Sequence, residues 1–174
     1  ISGRKYKIVS LSLALIAIAV IAVFRLITHT APLNADEETA PGRSRVQIAV
    51  LPFRNMTSDT TWNIWEEGIQ SCLINALSNL SDLAVQSEQT INGILNNEGI
   101  TNYASLQPEV VPTIAKKSGA RLYIAGNINR AGETIRLNAL MGDLENKNEV
   151  SSFHLDGKSL NILEMIDSLS ILIK

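Results

Sequence analysis

The chain has 174 residues, with 15 Lys and Arg against 17 Asp and Glu, a formal net charge of −2 and a pI near 5.7. That balance excludes a nucleic-acid footprint, which needs a basic face and usually a pI above ~9. One cysteine and two histidines exclude an intrachain disulfide and the common zinc sites.

From Ile8 to Phe24 the sequence IVSLSLALIAIAVIAVF carries no charge and only two serines. Extended through Arg25, Leu26 and Ile27 it makes 20 residues, about 30 Å of helix at ~1.5 Å per residue, which matches a bilayer core. The apolar region exceeds the ~7–15 residues of a signal peptide and no small-x-small site follows it, so a retained transmembrane helix over 8–28 is expected. Arg4, Lys5 and Lys7 precede it, whereas Asp36, Glu37 and Glu38 follow. The positive-inside rule then places a cytoplasmic stub at 1–7 and everything beyond residue 30 outside the cytoplasm. The expected placement is a bacterial inner (cytoplasmic) membrane, crossed once. Residues 29–45 mix proline, glycine and charge without period and read as a linker; His29 within it reads as solvated. The chain lacks an initiator Met and stops within an apolar periodic run, which suits a fragment of a longer protein.

The folded part is expected over 46–174. VQIAVLPF, 46–53, is a near-continuous apolar run, as in a strand covered on both faces, with Pro52 where it leaves the ladder. A polar loop follows, and Asp59, Thr60 or Thr61 is placed to cap a helix from about Trp62 to Leu80. Its predicted apolar stripe is Ile69, Cys72, Leu73, Ala76 and Leu80, which makes Cys72 a buried thiol. Gly68 costs ~1 kcal/mol inside a helix, and the expected compensation is close packing of that helix on the sheet. LAVQS, 83–87, is a short strand, and Ser87 caps a helix over 88–96. A further helix runs from about Gln107 to Lys117, with Gly119 as a left-handed cap. RLYIAGNINR, 121–130, and TIRLNALMGDL, 134–144, form a hairpin around Ala131-Gly132-Glu133, with Arg130 and Arg136 on its wet face. EVSSFHLDG is a fifth strand, and from Ser159 the spacing predicts a closing helix.

The order β-α-β-α-α-β-β-β-α predicts an α/β fold: a single mixed sheet of about five strands flanked by helices, preceded by one transmembrane helix. No internal repeat is present.

IAVLPFRNMTSD, then WEEGIQSCLINALSNLSDLAVQS, then AKKSGARLYIAGNINRAGETIRLNALMGDLENKNEV together resemble the TolB N-terminal-like domain, an α/β module of TolB/FlgO type. The likeness spans about residues 46–156. Where that family often has Asp before the helix glycine, this chain has Glu67-Gly68, and Trp65 stands at its usual aromatic. The resemblance implies an accessory role in sensing or protein interaction, and it brings no catalytic residues with it.

The residues themselves agree. GxGxxG, GxxxxGK[ST] and GxSxG are all absent. Asp59, Glu66 and Glu67 are read as a cap and as acidic groups favouring a helix N-terminus, His154 as an ordinary strand histidine. Asp143 and Glu145 offer only the outline of a hard-cation site. No catalytic, cofactor-binding or metal residue is therefore assigned. Asn55-Met56-Thr57 and Asn79-Leu80-Ser81 match the glycosylation pattern by chance. The candidate partner surface is Arg54, Asn55, Asp59, Trp62 and Trp65, the tryptophans because aromatic rings give large contact area at small entropic cost.

The function expected is a non-enzymatic sensory or protein-interaction module, signalling or scaffolding in the periplasm. Its expected partners are the lipid bilayer through 8–28 and a protein partner or second copy, with no nucleic acid. The alternative is a regulatory or nucleotide-binding domain of a membrane-bound enzyme, such as a kinase or cyclase.

Overall fold

The computed structural model describes residues 45–146 and 150–174; the predicted stub, transmembrane helix and linker lie outside them. Arg43–Lys174 form one compact unit. Its strands are β1 (Val46–Val50), β2 (Arg54–Asn55), β3 (Leu83–Val85), β4 (Leu122–Ala131), β5 (Thr134–Asp143) and β6 (Val150–Lys158). Its α-helices are α1 (Ile64–Ser78), α2 (Glu88–Asn97), α3 (Val111–Lys117) and α4 (Ile162–Ile173).

One mixed sheet runs β3-β1-β4-β5-β6, with β2 also paired to β4. β1 lies parallel to β3 and β4, whereas β4, β5 and β6 form an antiparallel meander. The sheet thus has six strands rather than about five. The extra strand, β2, falls where the sequence reads as loop. Pro52 brings no N–H to the ladder, so the chain leaves β4 after the Leu51 N–H donates to the Ile124 carbonyl. It rejoins at Arg54, opposite Asn127, and Asn55, opposite Ile128.

The alternation of β1 divides the core in two. Ile48 and Val50 join one cluster with Phe53 and residues of α1 and α4. Ala49 and Leu51 join the other, with Ile91, Leu95 and Ile114 of α2 and α3. A first strand buried on both faces was legible in its unbroken apolar run.

Several local expectations are corrected. The long helix begins with a 3-10 turn, Thr60–Asn63, before α1. Its buried residues are Glu66, Ile69, Gln70, Leu73 and Leu77, so the inward stripe is rotated from the predicted one. Gln70 causes the difference: it is polar, yet fully buried, because its Nε2 donates to the Val50 carbonyl at 2.9 Å. Cys72 is only half-buried; burial, with Asp167 nearby, pushes its thiol pKa up, which disfavours the thiolate. A Cβ on Gly68 would meet only the Trp65 ring of its own helix, at 3.4 Å, so that glycine does not serve contact with the sheet. The helix predicted from Gln107 is α-helical only from Val111. Gly119 does take the left-handed conformation, φ 78°. Arg130 and Arg136 lie on opposite faces: Arg130 pairs with Ile135 across the hairpin, and Arg136 with Asn129.

Candidate functional site

The polar loop after β1 is tied to itself. The side-chain oxygen of Asn55 accepts the N–H and hydroxyl of Thr57, at 2.9 and 2.7 Å. Its amide nitrogen donates to the Asp59 carbonyl and to Asn63 Oδ1. Ser58 takes φ 63° to close the bend. Asp59 accepts the N–H and hydroxyl of Thr61 and pairs with Arg130 at 3.2 Å. These bonds, Thr61's first, hold the Asp59 carboxyl below its usual range. A loop whose donors and acceptors already meet each other is a structural handover from strand to helix.

The acidic pair on α1 also serves the fold. Glu66 is buried and accepts the Asn55 backbone N–H at 2.9 Å. Burial, opposed by that bond and aided by Glu67, raises its pKa. Glu67 accepts the Tyr103 hydroxyl at 2.6 Å; burial and that bond push the hydroxyl pKa up. Gln70 Oε1 is buried with no hydrogen-bond partner among the described residues.

The predicted partner residues are therefore not brought together. Trp62 is 7% exposed, inside the core, and Trp65 packs against that core. Asn55 and Asp59 belong to the loop's own bonding. Arg54 alone faces a cavity, because register puts neighbouring strand residues on alternate faces. Asn55 points toward α1 and Arg54 toward the other side.

On that other side α2 and α3 cover only part of the sheet. The half carrying Asn127 and Asn129 of β4, Arg136, Asn138 and Leu140 of β5, and Ser152 and His154 of β6 has no helix over it among the described residues. It floors a concavity of about 450 Å³, walled by Leu106, Pro108 and Val111. Asn127 Oδ1 accepts amide N–H groups from Asn129 and Asn138, at 2.5 and 2.8 Å. Arg54 Nη1 donates to the Leu106 carbonyl at 3.2 Å. Arg136 makes a two-pronged pair with Asp156, at 2.6 and 2.7 Å, which holds that carboxyl below its usual range. The signal for this surface was present in the sequence: polar residues recur every second position in NINR and RLN, which marks an uncovered strand face.

No group of three or more His, Cys, Asp or Glu among the described residues is placed to hold a metal ion. Asp143 and Glu145, the outlined cation site, both pair with Arg121, at 2.9 and 3.1 Å.

No protein-family model matches the chain. It is 32% identical over 113 residues to putative adenylate cyclase 3 of Rhizobium meliloti (strain 1021), a match covering 64% of this chain and 18% of that protein. The chain thus spans under a fifth of that relative's length. Among solved structures it is similar to the LpoB C-terminal domain from Salmonella enterica: TM-score 0.53, 16% identity, 74% of this chain and 94% of that one. It is also similar to lipoprotein GNA1162 from Neisseria meningitidis: TM-score 0.53, 19% identity, 72% and 94%. At these identities the likeness is one of fold.

The expected placement, a single-pass protein of the inner membrane, is corrected. The shared fold includes that of a lipoprotein, a class held at membranes by covalent acyl chains rather than by a spanning helix. No helix among the described residues is long and apolar enough to cross a membrane.

Proposed function

We propose that residues 46–174 form a non-enzymatic protein-interaction module of TolB N-terminal type, which docks a partner on the uncovered half of its sheet. The observation that carries this reading is the concavity over β4, β5 and β6, whose floor holds amides, a hydroxyl, an imidazole and the apolar Leu140. The three sequence stretches quoted above, in order, support the TolB type, and the shared fold is compatible with it.

Site-directed photocrosslinking tests the reading. A benzophenone amino acid at Leu140 should trap a protein partner in the cell that makes this chain; one at Asn75, exposed on α1 across the sheet, should not. Equal trapping at both positions, or none at Leu140, refutes the reading.

The sequence match favours one second reading, an accessory domain of a larger protein that includes an adenylate cyclase. In that case the domain regulates rather than catalyses. Calorimetric titration of ATP into residues 43–174 separates it from a nucleotide-binding variant: docking predicts no heat, and micromolar binding would favour a nucleotide site.

A further inference from the structure

We propose that the concavity over β4–β6 receives an extended peptide through an acidic side chain flanked by apolar ones, Arg54 taking the carboxylate; this rests on the docking reading above. The lining contains Arg54, Arg136 and His154 and no carboxylate, within a chain that is acidic as a whole. Charge complementarity therefore selects a negative ligand.

The hydrogen-bond arrangement sharpens this. The Asn127 carbonyl oxygen accepts both neighbouring amides, while its own NH2 has no partner among the described residues. Arg54 stands opposite Asn127 in register and uses one nitrogen on the Leu106 carbonyl. Four of the guanidinium's five N–H donors then remain, and two parallel ones form the flat fork suited to a carboxylate. Donors thus outnumber free acceptors, and they sit side by side on neighbouring strands.

The same inventory limits the charge of the ligand. Arg136 is already engaged by both oxygens of Asp156, so Arg54 is the one lining arginine whose charge no ion pair offsets among the described residues. A single uncompensated cation suits a carboxylate better than a doubly charged phosphate. Around it Leu106, Pro108, Val111 and Leu140 offer apolar contact to the residues on either side of the acid.

The test uses residues 43–174, which carry both cores and form one compact unit. The probes are two fluorescent pentapeptides with blocked ends, one with a central glutamate between leucines and its glutamine twin. The glutamate peptide should bind at least tenfold tighter, and Arg54→Gln should remove that preference while Arg54→Lys keeps part of it. Because Arg54 lies in a strand, Leu140→Glu is a second variant at an exposed position; it should weaken the glutamate peptide at least tenfold and the glutamine peptide much less. Equal affinity for the two peptides, or a preference that survives Arg54→Gln in a folded protein, overturns the proposal. If the crosslinker at Leu140 still traps a partner, the acidic chemistry alone falls; if it traps none, the docking reading falls with it.

Discussion

Glu66 Oε1 accepts the backbone N–H of Asn55 at 2.9 Å, and so joins the start of α1 to the short strand β2. The carbonyl of the same residue accepts the Phe53 N–H. One helical residue thereby holds two successive points where the chain turns from strand to loop. Removing the side chain leaves a half-buried N–H without its acceptor, so Glu66→Ala should destabilise by ~1–3 kcal/mol. Glu66→Gln keeps an acceptor oxygen and should lose much less. Urea unfolding of both variants checks this.

The titration of the same group has a definite sign. Burial raises the Glu66 pKa above the ordinary 4.5, so the folded state holds the proton more tightly than the unfolded one. Its contribution is fully present below that value and declines as pH rises through the folded pKa. Wild type should therefore show a downward component in stability above pH 4.5 that Glu66→Gln lacks, read from urea midpoints between pH 4 and 7.

Phe53 and Gly126 explain a position where no side chain is tolerated. A Cβ at Gly126 would overlap the Asn138 carbonyl oxygen and the Phe53 ring. The first is backbone held in the β4–β5 ladder, and the second is fully buried. Neither yields without moving the sheet, so Gly126→Ala should destabilise toward the upper end of the ~1–3 kcal/mol typical of overpacking. A urea midpoint lowered by less than a few tenths of a kcal/mol equivalent would show that the ring moves aside freely.

The glycine of α1 should behave in the opposite way. Its added Cβ would touch only the Trp65 ring, at contact distance, while the helix gains alanine's lower conformational entropy cost. Gly68→Ala should therefore stabilise by up to ~1 kcal/mol, visible as a melting temperature raised by several degrees.

What the sequence revealed and what it concealed have the same origin. Element order followed from periodicity, and Ser87 caps α2 as expected, its oxygen accepting the Thr90 N–H. Strand β2 was missed because a two-residue pairing has no period. Gln70 and Glu66 were missed on the inward face because their burial depends on partners 20 and 11 residues away, which hydrophobic patterning does not register. Trp62 and Trp65, three residues apart, suit core packing with one interfacial ring as well as a partner surface, and the 3-10 turn before α1 carries Trp62 among the buried residues. The concavity depends on where α2 and α3 stop along the sheet. That is a matter of crossover length, which alternating polar residues along a strand do not register.

Asp143 fixes the far end of the β5 strand and gives the domain an acid-sensitive limb. Its carboxylate accepts Arg121 Nη2 at 2.9 Å and the N–H groups of Glu145 and Asn146, at 2.8 and 3.2 Å. The Arg121 hydrogen bond, opposed by burial and helped by those two N–H groups, lowers its pKa to about 2 from 3.8. A carboxyl whose folded pKa is depressed contributes stability that is present above its unfolded value and lost as pH falls through the folded one. The loss should run between pH 3.8 and about 2. Asp143→Asn keeps one acceptor but no charge for Arg121, so it should be less stable than wild type at pH 7 and show a flatter acid limb. The two stability curves should converge as pH approaches 2. Parallel curves across that range would mean that Asp143 titrates alike in the folded and unfolded states, and that its three bonds do not favour the charged form.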